Sequence, residues 1–159
     1  MKDFSKAPRV AEVWNLLATE QEEAVNRHDK RRLKLERLKM PAEVAAHVKE
    51  PTYSFKNMFG IWEMLVRNMA DEWEPDVFCD PAEYINDIIV RDRIDKIIAE
   101  YPVLGQPPLD SLLAELDAWF MHYSVYDGGA ELSLWRPKSE NFAERNERWR
   151  RKPVTIPWN

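Results

Sequence analysis

The chain has 159 residues, of which 45% are hydrophobic, 32% charged and 11% aromatic, and it carries a formal net charge of −5. That length points to one domain with room for a core, and that composition is too apolar for a wholly disordered chain. Four glycines against 11 prolines argue against an all-β fold, and the single cysteine excludes an internal disulfide. No stretch approaches the ~18 consecutive apolar residues of a membrane helix.

Residues 1–7 read as a flexible leader without the apolar region of a signal peptide, and the expected location is cytoplasmic. Ser5 and Pro8 mark a helix start, and Val10, Val13, Trp14 and Leu17 form its apolar stripe. No Gly or Pro occurs between 9 and 40, which predicts one long helix or two helices broken near His28-Asp29. Pro41 opens a short amphipathic segment that Pro51 closes, with Val44 and Val48 facing inward.

The strongest periodicity runs from Tyr53 to Trp73. Phe55, Met58, Phe59, Trp62, Leu65, Val66, Met69 and Trp73 recur at the spacing of one helix face, and Ile61 and Met64 widen it. Ser54 is placed to cap this helix and Pro75 to stop it, so 54–73 is the predicted central core helix.

Asp80, Pro81 and Glu83 then form a helix start: a cap, a helix-ready proline, and an acid that can bond back to the cap. Tyr84, Ile85, Ile88 and Ile89 give the stripe. The phase shifts to Val90, Ile94, Ile97, Ile98 and Tyr101, which predicts a bend or break near Arg91-Asp92, with Pro102 as the end. Leu109, Leu112, Leu113, Leu116, Phe120 and Tyr123 mark a further helix at about 108–125, stopped by Asp127-Gly128-Gly129. ELSLW (131–135) is open to a short strand on one weak alternation. Ser139 is placed to start a short helix with Phe142 and Trp149 on one side and Arg145, Arg148, Arg150 and Arg151 on the other. The tail contains Pro153 and Pro157 and is non-helical, with Trp158 docked on the domain. The expected fold is all-α: a single-domain bundle of five to seven helices over 1–159, with an irregular extension from 130 to 159 packed on it.

Catalytic chemistry finds little footing. His28, His47 and His122 lack the Glu-x-x-His spacing of bundle metal sites, and the Glu43/His47 pair reads as a surface ion pair. Cys79 has no adjacent His or Lys to activate it and reads as a small buried residue at a loop–helix junction. Glu83/Asp87 and Asp92/Asp95 share helix faces, a spacing that can hold Mg²⁺, but capping already explains most of these carboxylates. Gly128-Gly129 lacks the Lys and Ser/Thr of a phosphate loop, and Pro75-Asp76 lacks the second half of a metal-nuclease motif. No cofactor and no metal are expected.

Charge distribution says more. Residues 27–39 carry seven Lys/Arg and two acids, and residues 136–152 carry seven Lys/Arg and three acids. Between them, 63–100 holds eleven acids against four Lys/Arg, and 101–135 holds five acids and no Lys/Arg. An acidic middle between basic segments suggests charged partners or internal pairing. The leading expectation is a non-enzymatic protein-binding module of the inhibitor, antitoxin or immunity type. It would dock a basic partner such as a nuclease toxin through Asp71, Glu72, Glu74, Asp76, Asp80 and Asp87, with Trp73 and Trp119 as anchors. The alternative is nucleic-acid binding through Arg31, Arg32, Lys34, Arg148, Arg150 and Arg151, a weaker expectation at this net charge. A third is an enzyme whose pocket gathers Asp117, His122 and Tyr123 only in three dimensions. A homodimer built on exposed tryptophans is also open, and no membrane partner is expected.

Overall fold

The structure, a computed structural model, describes residues 3–135 and 146–158. The helix start expected at Ser139 lies outside the described residues, as does Phe142. A 3-10 turn at Phe4–Lys6 precedes α1 (Val10–Trp14). The leader is anchored by Phe4, which is buried with its ring centroid 4.9 Å from that of Trp119 and the Arg67 guanidinium 4.6 Å above it. α1 starts just past Pro8, where the Glu12 carboxylate accepts the Arg9 N–H at 2.9 Å.

The 9–40 stretch breaks between α1 and α2 (Thr19–Arg37), not at His28-Asp29. The reason is tertiary. The Gln21 side-chain oxygen accepts the Ala18 N–H (3.1 Å), while its amide nitrogen donates to the carbonyls of Val103, Gln106 and Pro107 (3.1–3.3 Å). Asp29 sits in mid-helix and uses its carboxylate to accept the Phe55 N–H at 2.9 Å, steadying the start of the next long helix. α3 (Ala42–Ala45) leaves Val44 exposed and Val48 half-buried, so the expected inward stripe is absent. Polar clamps hold this segment instead: the Glu36 carboxylate accepts the Thr52 and Tyr53 amides (2.7 and 3.2 Å), and Arg37 donates to the Val48 carbonyl.

α4 (Phe55–Ala70) is the core helix that the periodicity predicts. Phe55, Met58, Phe59, Trp62, Leu65, Val66 and Met69 are all buried, and the Ser54 hydroxyl accepts the Asn57 N–H at 3.1 Å as the cap. It packs on α1, α2, α5 and α6. α5 (Pro81–Glu100) starts with the reciprocal pair read from the sequence: Asp80 accepts the Glu83 N–H (2.8 Å) and Glu83 accepts the Asp80 N–H (3.2 Å). It then runs unbroken through Arg91-Asp92. The phase shift reflects burial on more than one side, and Arg91 itself is only 4% exposed. Its guanidinium donates to Asp117 (2.7 and 2.8 Å) and Asp95 (2.6 Å), and Trp62 Nε1 donates to the same Asp117 (3.0 Å). Asp92 accepts from Arg148 (3.1 Å) and from Trp149 Nε1 (2.8 Å).

A Pro102–Gly105 turn leads to α6 (Leu109–Tyr123), and β1 (Ser124–Tyr126) pairs antiparallel with β2 (Arg151–Pro153), Val125 opposite Lys152. ELSLW is not a strand. α7 (Ala130–Ser133) forms there because the Asp127 carboxylate accepts the amides of Gly129 and Glu131 (2.8 and 2.9 Å), with Gly129 at φ 86°. The C-terminal extension is docked: Trp149 and Trp158 are buried, and Trp158 Nε1 donates to Glu131 at 2.9 Å. Seven α-helices and one two-stranded sheet thus stand among the described residues, around one hydrophobic core. No helix among them is long and apolar enough to cross a membrane.

Candidate functional site

α4 buries one face and leaves another open. Lys56, Asn57, Gly60, Ile61, Met64 and Asn68 recur at three- and four-residue steps along its outer side. Met64 is 64% exposed, and a Cβ added at Gly60 would meet nothing within 4 Å. The helix ends sharply. Glu72 (φ 52°) and Trp73 (φ 57°) both adopt the left-handed conformation, and the Trp73 N–H donates to the Asn68 carbonyl at 2.8 Å. Two consecutive non-glycine residues in that conformation carry strain, which the burial of Trp73 offsets. The reversal turns the indole inward, where its Nε1 donates to the Thr155 carbonyl at 2.7 Å, and leaves Asp71 and Glu72 outside. The connector that follows exposes Glu74, Asp76 and Phe78, the last by 79%, and buries Cys79.

Between this connector, the end of α4 and the first turns of α5 lies a cavity of about 300 Å³, lined by Ile61, Met64, Leu65, Asn68, Trp73, Phe78, Cys79, Glu83, Asn86 and Asp87. A second cavity, of about 530 Å³, runs the other way along α4 toward Val10, Thr52 and Lys56. Ile61 and Met64 line both, so the two cavities adjoin along the outer face of α4 and are taken together as its trough. Apolar surface forms much of its wall, and carboxylates stand at one end.

The electrostatics of that end are unusual for this molecule. Burial, and then the neighbouring Glu83, push the Asp87 carboxyl up to about 7. Burial, and then Asp87, Glu83 and Asp80, push the Cys79 thiol up to about 12, so it is no nucleophile near neutral pH. Among the described residues, Asp71, Glu72, Glu74, Asp76 and Asp87 make no ion pair. Other acids of the middle segment are held by the chain's own cations: Asp92 and Asp95 by Arg148, Asp95 and Asp117 by Arg91, Glu63 by Arg67, and Glu100 by Arg31.

The residues picked out by sequence therefore sort themselves. Asp71, Glu72, Glu74 and Asp76 are together and exposed; Asp87 faces the cavity; Asp80 is half-buried and engaged as the α5 cap. Trp73 and Trp119 are corrected as anchors. Both are buried in the domain's own core, Trp119 stacked on Tyr123 at 5.7 Å, so neither offers an exposed face to a partner or a second copy. Of the basic residues, Arg31 pairs with Glu100 and donates to Tyr101 (3.2 Å), and Arg32 pairs with Glu36 (2.9 Å). Arg148 holds Asp92 and Asp95, and Arg151 donates to Ser124 and Met121 and pairs with Glu147. Arg150 is half-buried and not free of partners. Lys34 is exposed. Asp117 turns toward Arg91 and Trp62, whereas His122 lies edge-on to Tyr123 and is exposed, and none of Asp117, His122 and Tyr123 lines the trough. Among the described residues no group of three His, Cys, Asp or Glu side chains can hold a metal ion.

Gly60, Met64 and Phe78 were not candidate site residues from sequence. The signal for Met64 and Ile61 was present in their offset from the main apolar stripe, although it read as core. No family model, no curated protein and no solved structure matches this chain.

Proposed function

We propose that the chain is a non-enzymatic protein-binding module of the inhibitor, antitoxin or immunity type, which neutralises a basic partner such as a nuclease toxin. The contact surface is the corner where α4 ends and α5 begins. The observation that supports this reading is the contrast in charge pairing. The carboxylates at Asp92, Asp95, Asp117 and Glu100 are spent on the chain's own arginines, while Asp71, Glu72, Glu74 and Asp76 stand exposed and, among the described residues, without an ion pair in the turn and connector that follow α4. Exposed like charges repel each other and do not favour the isolated fold, whereas they speed the approach of a cationic partner and set its orientation. An acidic face of this kind also suits blocking a phosphate-binding cleft, whose cations it mimics a substrate for.

The test is kinetic. A basic protein co-purified from the native host is expected to lose its activity in the complex. Its association rate should fall by about tenfold or more between low and high salt, and again on replacing Asp71, Glu72, Glu74 and Asp76 by their amides. Rates indifferent to both changes refute the reading. The same charge contrast weakens the nucleic-acid alternative, because Arg31, Arg32, Arg148 and Arg151 are occupied by the chain's own acceptors.

A further inference from the structure

Glycine in the interior of a helix costs about 0.5–1 kcal/mol relative to alanine. Gly60 sits six residues into α4, and its own fold gives no reason for the missing side chain, since a Cβ there would touch nothing. A bare patch of backbone on an exposed helix face permits another backbone to come close. Next to it the trough carries Ile61, half-buried against the core, and the exposed Met64, with the exposed Phe78 further along in the cavity that Met64 shares. One end of the trough is closed by Glu83 and Asp87, and among the described residues no cation pairs with either.

We propose that this trough is the seat of an amphipathic α-helix from the partner, crossing α4 at Gly60, with its apolar stripe on Ile61, Met64 and Phe78 and a lysine or arginine reaching Asp87. The inference rests on the protein-binding reading above and gives that partner a shape. Three features select this occupant. A helix presents apolar residues at three- and four-residue steps, which matches the spacing of Gly60, Ile61 and Met64 on α4, and ridges packed over a glycine bring two helix axes close. The carboxylates at the closed end call for a cation, and the alkyl stem of lysine or arginine suits the apolar wall leading to them. A second copy of this chain is disfavoured, because it would bring a further set of the same carboxylates to the same surface.

The experiment uses the full chain, isotope-labelled for NMR, and three synthetic peptides of about 15 residues, long enough for four helical turns. The first carries leucines on one helical face flanked by lysines. The second has the same composition scrambled so that no face forms. The third replaces the lysines by glutamates. The first peptide is expected to shift the amides of Gly60, Ile61, Met64 and Phe78, and to bind about tenfold or more tighter than the second. Gly60→Trp, which fills the bare patch, should remove that advantage, and Met64→Glu should do the same if the tryptophan disturbs folding. Asp87→Asn should weaken the lysine peptide several-fold and leave the glutamate peptide unchanged. Equal binding of the first two peptides at the acidic corner overturns the helix seat while leaving the acidic docking reading standing. Failure of both cationic peptides to bind at low salt removes both. Sedimentation showing a dimer that Met64→Glu dissociates assigns the trough to a second copy and overturns the proposal.

Discussion

Asp87 gives the sharpest test of the site's electrostatics. Its carboxyl is half-buried beside Glu83, with Cys79 and Tyr84 as the other titratable groups near it and Asn68 lining the same cavity from α4. None of these supplies a positive charge. Moving a carboxyl from its ordinary 3.8 to about 7 corresponds to about 4 kcal/mol of differential stabilisation of the neutral form. The cavity is open to water on one side, which reduces the effect to about 1–3 kcal/mol. The folded state binds this proton more tightly than the unfolded chain does. The corresponding stability is therefore full below about pH 4 and drains away as pH rises to about 7. Asp87→Asn is nearly isosteric and cannot ionise. It should match the wild type near pH 4 and exceed it by about 1–3 kcal/mol at pH 8, a rise in Tm of about 2–4 °C per kcal/mol for a chain this size. Urea unfolding of both proteins at the two pH values reads the difference, and taking variant minus wild type cancels the other carboxylates. A wild type that is the more stable of the two at pH 8, or a difference that does not change with pH, refutes the claim that Asp87 ionises without a partner.

Four further outcomes are expected. Asp117→Ala should cost about 3 kcal/mol in urea unfolding, because it leaves the buried Arg91 guanidinium with Asp95 alone and takes the acceptor from Trp62 Nε1, and adding Arg91→Met should recover part of the loss. Gly60→Ala should raise stability by about 0.5–1 kcal/mol, and a lowered Tm would show that the site is more crowded than the structure has it. Cys79 should react with a disulfide reagent in the folded protein far more slowly than a free cysteine does, and at a rate set by unfolding. Burial pushes the Glu36 carboxyl up, but Arg32 and the amides of Thr52 and Tyr53 more than offset this and hold it below the ordinary range. The stability gap between wild type and Glu36→Gln should therefore be present above about pH 4.5 and close as pH falls.

Local signals were legible where a single element carries its own instructions. The α4 stripe from Phe55 to Met69, its Ser54 cap and the Asp80-Pro81-Glu83 start need only neighbours within one turn and appear as read, whereas the helix ends at Ala70, short of Trp73 and the expected stop at Pro75. The failures share a cause at longer range. The α1–α2 break is set by Gln21 bonding a turn more than 80 residues away. The continuity of α5 depends on Arg91, a residue type that pattern reading places outside, being held inside by Asp117. α7 forms in ELSLW through Asp127, upstream of the segment, and β1 finds its partner in the C-terminal tail. The candidate site was half legible for the same reason. Its carboxylates are counted directly, but Met64 reads as part of the core face because apolar residues are inside by default, and Phe78 sits in a connector with no pattern of its own.

Opposite charges in one chain can pair internally or stand apart, and both arrangements occur here. The Arg91 network and the Arg148 bridge bind α5 to α6 and to the C-terminal extension, so those acids and arginines specify how the chain closes on itself. Asp71, Glu72, Glu74 and Asp76 fall in one short stretch that includes the strained reversal at Glu72 and Trp73, near two large exposed apolar side chains and a cavity that ends at Asp87. Exposed apolar surface rimmed by like charge is unfavourable for the isolated domain and becomes favourable when a surface of opposite charge covers it. The strain at Glu72 and Trp73 belongs to the same arrangement, because it is what turns the indole in and leaves the carboxylates out.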